Sequence, residues 1–220
     1  MRHMKAILLL FLIAAAADAA TKPKVIVFGK ATAVKLFVGP SETSPMEIKV
    51  RPLYVDGKLK EFTTGEPHDV TERLFVVRRA YRINDLLPGD PKAIPRWKWQ
   101  RGGWLQVSRE TGRVSPLTLP EFDPYYSSAS WYRDYVAYCG ISDNGEKVYA
   151  VVVELGRRKA VLRKELGAAR GADLPDSECA VPDWQREPMR VTFVPASGSK
   201  ITFAIRGHAA DITADSEEEP

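Results

Sequence analysis

The stretch of residues 131–155 constrains the fold of this chain more than any other part of the sequence. Two runs rich in aromatic and β-branched residues flank the polar segment 142–145, a pattern that is typical of a β-hairpin. Gly145 can take the positive φ that a type I turn followed by a bulge requires. The second run, residues 148–153, is apolar without alternation, so we predict a central strand that is covered on both faces.

The rest of the chain repeats short runs with strand periodicity, separated by turn residues such as Asp56-Gly57. Residues 63–69 indicate a polar connection, and 164–173 form the one segment compatible with a helix, weakened by Gly167 and Gly171. We therefore predict an all-β fold: an antiparallel meander that forms a β-sandwich, an open barrel or blade-like sheets, with little helix.

The first residues of the chain have the three parts of a secretory signal peptide. A basic start precedes the apolar run 6–17, and small residues follow it. We predict a signal peptide over residues 1–19 and a secreted or periplasmic product without stable membrane insertion after cleavage. An uncleaved anchor is the alternative, although the run is short for the ~30 Å hydrocarbon layer of a bilayer.

Charge gives little indication of a nucleic-acid partner. The formal net charge is +4, and removal of residues 1–19 lowers it to +3 because Arg2, Lys5 and Asp18 are lost. Such a small positive net charge does not predict nucleic-acid binding. An exported protein is also less often a nucleic-acid-binding protein.

Cys139 and Cys179 are the two cysteines of the chain. An even pair of cysteines in an exported protein predicts one disulfide bond. The alternative is two unpaired thiols, one of them buried in the strand that contains Cys139.

The chain contains no sharp domain boundary. We predict a single β-rich domain over residues 20–210, with a possible subdivision near the proline- and glycine-rich segment 85–95. Residues 211–220 are acidic and nearly free of large apolar side chains, so we expect a disordered tail.

The best candidate for a binding surface is the segment 121–134, because tyrosine and tryptophan combine an apolar face with a polar tip and loops often carry binding residues. The candidate residues are Glu121, Asp123, Tyr125, Tyr126, Trp131, Tyr132, Arg133 and Asp134. Trp97, Trp99 and Trp104 can extend this surface. The alternative is that these aromatic side chains fill the ends of the sheets.

Enzyme chemistry has weaker support in the sequence. Glu121, Asp123 and Asp134 supply carboxylates, and a glycosidase needs two of them. Surface carboxylates are abundant, however, and a structural ion pair or a loop cap is the simpler role for Asp134, which follows Arg133. The chain has no nucleophile elbow, zinc-protease helix motif or phosphate-binding glycine loop. A calcium loop placed on Gly145 fails, because Gly140 and Val151 then occupy positions that need carboxylates. We therefore expect no catalytic residue, metal or cofactor.

A basic cluster lies beyond the central hairpin and consists of Arg157, Arg158, Lys159, Arg163 and Lys164. Basic side chains protect exposed strand edges from pairing with other chains, which is the interpretation we favour. Attraction of anionic lipid head groups or of polysaccharide phosphates is the alternative.

Residues 138–152, with the sequence Tyr-Cys-Gly-Ile-Ser-Asp-Asn-Gly-Glu-Lys-Val-Tyr-Ala-Val-Val, resemble one blade of the β-propeller repeats of periplasmic translocation and peptidase-associated proteins. Those blades place a Ser-Pro-Asp-Gly turn where residues 142–145 stand here without the proline. Residues 104–114 are similar to the outer-strand turn of a preceding blade. The likeness covers residues 96–166 at most, and the ~40-residue period does not recur often enough for the ~4 blades of a closed propeller.

The chain after its signal peptide also resembles uncharacterised exported bacterial β-rich proteins, a resemblance that implies no activity. We expect an exported envelope or periplasmic protein that binds a protein or glycan of the cell envelope without catalysis. The alternatives are a hydrolase that acts on envelope polysaccharide through Asp123 and Asp134, and a structural subunit of an envelope assembly.

Overall fold

A computed structural model of the protein describes residues 22–36, 46–84, 86, 94–169, 179–196 and 198–213. These residues form fifteen β-strands and no helix, which confirms the predicted all-β fold class. In this part of the chain there is consequently no helix long and apolar enough to cross a membrane. The predicted signal peptide and most of the segment 85–95 lie outside the described residues.

The first sheet, called the ring sheet below, has seven strands. They are β1 (Ile26–Phe28), β2 (Thr32–Leu36), β3 (Met46–Val55), β4 (Lys58–Thr71), β5 (Leu74–Asn84), β6 (Trp97–Ser108) and β7 (Val114–Leu117). Strands β2 to β6 pair in succession, and β2 returns to β6 in parallel at Leu36 and Trp99, which closes a ring of five strands. Strands β1 and β7 pair with β3 and β6, respectively.

The second half of the chain forms two smaller sheets, each a four-stranded antiparallel meander. The middle sheet contains β8 (Ser130–Tyr132), β9 (Tyr135–Ile141), β10 (Lys147–Glu154) and β11 (Leu162–Ala168). The outer sheet contains β12 (Asp183–Gln185), β13 (Arg190–Phe193), β14 (Ile201–Arg206) and β15 (Ala209–Thr213). Both sheets are blade-like, whereas residues 104–114, which resemble part of a preceding blade, belong to the ring sheet.

The middle sheet lies between the other two, and β10 is its most buried strand. Every residue from 148 to 153 is at most 7% exposed, which confirms the predicted central strand. Because successive side chains of a strand point to opposite faces, this run contributes to two cores. Ala150 and Val152 pack with Val191 and Phe203 of the outer sheet. On the other face, Tyr149, Val151 and Val153 pack with Val76 and Trp104 of the ring sheet.

The turn chemistry of the sequence agrees with the observed hairpins. Gly145 has φ +72° and its N–H donates to the carbonyl oxygen of Ser142 at 2.8 Å, as the predicted turn of the central hairpin requires. Asp56 and Gly57 both have positive φ, 49° and 75°, and join β3 to β4 in a two-residue turn. Local residue preferences therefore set two of the tightest turns.

The predicted disulfide between Cys139 and Cys179 is present, and both cysteines are 3% exposed. Cys139 lies in β9, and Cys179 makes an isolated β-bridge with Pro195 beside the outer sheet. The bond thus ties the middle sheet to the outer sheet across their shared core. A disulfide fits an oxidising extracellular compartment.

Two local predictions are wrong. Residues 63–69 are not a connection but part of β4, which continues through a register shift after Thr64, because Thr63 and Thr64 are buried and Gly65 takes φ +72°. The predicted helix 164–173 also fails: residues up to Ala168 form β11, whose pairing with the buried strand β10 outweighs a weak helix preference. Residues 170–173 lie outside the described part.

The domain boundaries require one adjustment at the C-terminus. Strand β15 continues to Thr213, so the first three residues of the predicted acidic tail pair with β14, and residues 214–220 lie outside the described part. On either side of the segment 85–95, β5 and β6 pair in one sheet, and a boundary there would interrupt that pairing. The single domain over 20–210 stays a prediction.

We expect replacement of Cys139 and Cys179 by alanine to lower the free energy of unfolding by about 4 kcal/mol, because the bond closes a loop of 40 residues. Urea unfolding of the oxidised protein and of the double variant measures this difference. The unmodified protein with its disulfide reduced is the matched control, and it should unfold like the variant. Equal midpoints for all three samples would contradict the prediction.

Candidate functional site

The residues predicted as one binding surface are divided among separate places in the fold. Trp131 and Tyr132 are neighbours in β8, so their side chains leave opposite faces of the middle sheet. Trp131 packs in the core shared with the ring sheet, whereas the Tyr132 ring lies 5.8 Å from that of Trp184 in the outer sheet. The strand period alone therefore separates the two side chains.

Trp131 joins the ring sheet to the middle sheet. Its ring stacks on His68 of β4 with centroids 5.7 Å apart and meets the Trp104 ring edge-on at 5.1 Å. His68 Nε2 lies 2.7 Å from the carbonyl oxygen of Arg133, which can only accept, so Nε2 donates in this contact. Arg133 has φ 53° in the tight turn between β8 and β9. These contacts agree with the alternative of structural packing.

Glu121 fastens the loop between β7 and β8, residues 118–129, to the middle sheet. Both carboxylate oxygens accept from Nε of Arg163 in β11 at 3.0 Å, and these bonds raise the pKa of that guanidinium. Arg163 also lies over the Tyr149 ring at 3.9 Å from the centroid. The carbonyl oxygen of Glu121 accepts from the N–H of Ile141 at 2.8 Å. The described contacts of Glu121 therefore have a structural role, because they attach the loop to the middle sheet.

Asp123 shapes the same loop. Its Oδ1 accepts from the N–H groups of Tyr125 at 2.7 Å and Tyr126 at 3.3 Å, and its own N–H donates to Ser127 Oγ at 3.1 Å. This is the pattern of an aspartate that caps a turn. Tyr125 is left 47% exposed at the tip of the loop. Asp134 lies in the next turn, where its carbonyl oxygen accepts from the N–H of Leu155 at 2.8 Å.

Arg78, a residue without a role predicted from the sequence, holds this loop against the ring sheet. Its Nη2 donates to the carbonyl oxygen of Pro124 at 2.8 Å and to that of Ser127 at 3.4 Å, and its Nε donates to that of Gly102 at 3.3 Å. Within the described part of the chain no carboxylate forms an ion pair with it. Burial, helped by the charge of Arg101, lowers the pKa of Arg78 to about 10.

Arg78 is one end of a surface that we call the arginine–tryptophan ladder. It consists of side chains from β5 and β6: Arg78, Arg82, Trp97, Trp99, Arg101 and Trp104. In the β5–β6 register, Arg78 lies opposite Trp104, Ala80 opposite Arg101, Arg82 opposite Trp99, and Asn84 opposite Trp97. Residues directly opposite one another share a face of the sheet. One face of this strand pair therefore presents an arginine or a tryptophan at every step.

The far end of the ladder is open to solvent. Arg82 lies in contact with two indole rings, its Cζ being 5.8 Å from the Trp97 centroid and 5.3 Å from the Trp99 centroid. Trp97 is 58% exposed, and Phe62 supports Trp99 in an edge-on contact at 5.3 Å. The Arg82 cation is thus held on an aromatic platform, an arrangement that favours a positive charge over the ring faces.

Two cations of the ladder have no anionic partner among the residues that the structure describes. Neither Arg82 nor Arg101 forms an ion pair there, and Arg101 donates to the sulfur of Met46, a weak acceptor. Burial lowers the pKa of Arg101. By contrast, Arg79 in β5, one residue from Arg78, pairs with Glu61 at 3.0 Å. Among the described residues, Arg82 and Arg101 thus differ from Arg79 in having no carboxylate partner.

The sequence indicates the three tryptophans of the ladder as possible additions to a binding surface, whereas its arginines carry no predicted role. The available signal was the period of two: Arg78 and Arg82 lie on one side of an alternating strand, and Trp97, Trp99 and Arg101 repeat at the same spacing. What the sequence lacked was the register that places the two runs side by side.

The basic cluster beyond the central hairpin is partly engaged. Arg157 pairs with Glu154 at 3.5 Å, and Arg163 is the residue bound to Glu121. Arg163 and Lys164 lie in β11, whose only partner among the described strands is β10. This position agrees with protection of a strand edge.

Metal-binding geometry is absent from the described residues, where no three histidine, cysteine, aspartate or glutamate side chains come together. Comparison with known proteins gives no further guide, since no protein-family model and no curated protein matches the chain.

Replacing Arg78 with methionine should lower the free energy of unfolding by about 2 kcal/mol, because three carbonyl oxygens lose a charged donor. Urea unfolding followed by tryptophan fluorescence measures the change. Arg82→Gln is the matched control, since this exposed side chain contributes no more than about 1 kcal/mol through its ring contacts. An Arg78→Met variant as stable as the control would show that Arg78 does not hold the loop.

Proposed function

We propose that this protein is an exported, non-enzymatic binding protein that engages its partner through the open end of the arginine–tryptophan ladder. The observation that carries the proposal is Arg82, an exposed cation in contact with Trp97 and Trp99 and without a carboxylate partner among the described residues. The partner is a protein or a glycan of the cell envelope.

The physical basis is the composition and rigidity of this surface. Tryptophan and arginine are the side chains that most often dominate binding energy, because they combine a large contact area with directional hydrogen bonding. Here they stand on two paired strands of a closed ring, and Phe62 supports Trp99 from the side. A surface held on strands loses little conformational freedom when a partner binds.

Export is supported by two independent features. The N-terminal sequence has the pattern of a signal peptide, and the disulfide between Cys139 and Cys179 suits an oxidising compartment. The proposed location is therefore secreted or periplasmic.

The described contacts give no specific support to the hydrolase alternative. The Asp123 carboxylate accepts from two backbone N–H groups of its own loop, and Asp134 contributes a backbone contact to the end of β10. A carboxylate that caps a turn is not directed at a substrate, so catalysis is not part of the proposal.

Capture of envelope components by the immobilised protein tests the proposal. We expect Trp97→Ala and Arg82→Gln each to reduce the retained material at least about tenfold, as loss of a dominant binding residue does. Arg73→Gln is the matched control, since the Arg73 side chain is 77% exposed near the opposite end of β5. This control should retain what the unmodified protein retains.

Equal capture by the ladder variants and the Arg73→Gln control would contradict a binding role for the ladder. A glycan-release assay on envelope polysaccharide is run in parallel. Release that Asp123→Asn or Asp134→Asn abolishes would contradict the non-enzymatic part of the proposal.

A further inference from the structure

We infer that the ligand of the ladder is an acidic polysaccharide, with its anionic groups at Arg82 and Arg101 and its sugar rings against Trp97 and Trp99. The inference rests on the proposed function and adds the chemical class of the ligand. It follows from the charge, the spacing and the compartment of the site.

The charge pattern selects an anionic ligand. Three half-buried arginines in or next to the ring sheet have carboxylate partners: Arg51 pairs with Glu66, Arg79 with Glu61 and Arg109 with Asp69. Arg82 and Arg101 depart from this pattern in the described part of the chain. A guanidinium group matches a carboxylate with two parallel hydrogen bonds, so a ligand carboxylate supplies the partner that these arginines lack.

The alternation of charge and ring selects a polymer rather than a single small anion. Arg82 lies opposite Trp99, Arg101 is two residues further along β6, and Trp97 is two residues before Trp99. At about 3.3 Å per residue, the distance from Trp97 to Arg101 along the strand is about 13 Å. A free phosphate or acetate would bind one arginine and make no contact with the exposed surface of the indole rings. A chain of acidic sugars meets cations and rings at the same time.

The compartment favours a glycan over a nucleic acid. Arginine and aromatic side chains also bind single-stranded nucleic acids, in which the bases stack on the rings. The disulfide between Cys139 and Cys179, however, is suited to an oxidising extracellular environment, and the mild net charge of the chain lacks the strong basic excess of such binders. The pyranose rings of an acidic polysaccharide present C–H faces to the indoles and carboxylates to the guanidinium groups.

Titration of the full mature chain, with its disulfide intact, tests the inference. Polygalacturonate is the probe, dextran is the neutral control polymer, and a single-stranded oligo-dT of similar length is the competing ligand class. Tryptophan fluorescence or calorimetry reports binding. We expect polygalacturonate to bind and dextran to bind at least tenfold more weakly. Added salt should lower the affinity for polygalacturonate, because salt screens ionic contacts.

The variants assign the binding to the ladder. Arg82→Gln, Arg101→Gln and Trp97→Ala should each lower the affinity for polygalacturonate at least tenfold. The matched control Arg73→Gln should leave this affinity unchanged. Circular dichroism and the urea midpoint verify that each variant is folded. Because Arg82 and Trp97 are exposed, those two variants keep the test valid if Arg101→Gln destabilises the sheet.

Three results would overturn the inference: no binding of polygalacturonate, equal binding by all variants, or tighter binding of oligo-dT with the same dependence on Arg82. The capture experiment separates this failure from failure of the proposed function. If polygalacturonate does not bind but ladder variants still lose envelope components, the ligand class is wrong and the binding role stands. If the ladder variants change neither measurement, both proposals fail.

Discussion

Burial of strand β10 on both faces is the constraint on which the rest of the structure depends. A strand that is apolar on both faces must be covered on both sides. The ring sheet covers β10 on one side, and the outer sheet covers it on the other. The disulfide and the Trp131 contacts then fix these layers to the middle sheet. The fold is thus a stack of three sheets whose order follows from one apolar run.

The ladder is connected to that stack through Arg78. Its guanidinium group donates to a backbone carbonyl of the loop 118–129. Arg82, four residues further along the same strand, is exposed to solvent and contacts two indole rings. The same loop is held on its other side by Glu121 and Arg163. Along one face of β5 and β6, the side chains therefore change from buried at Arg78 to exposed at Arg82. The exposed part belongs to the same paired strands, so its backbone is held in place by the buried part.

Features determined by local chemistry were predictable from the sequence, and features determined by long-range register were not. The turn at Gly145, the buried run 148–153 and the disulfide follow from residue type, periodicity and compartment. The division of Trp131 from Tyr132 also follows from the strand period, although grouping by composition concealed it. The ladder requires Arg82 to lie opposite Trp99, a pairing across a connection whose length carries no register information. Helix preference failed at β11 for a related reason, since its partner strand decides its conformation.

The disulfide has a further consequence for the integrity of the chain. Cys139 and Cys179 enclose β10, β11 and the connection that follows β11 in one covalent loop. A single backbone cut anywhere between residues 140 and 178 would therefore leave the two pieces linked through sulfur. The N-terminal piece would keep the ladder, and the C-terminal piece would keep the outer sheet. The protein would therefore stay one covalent molecule after such a cut.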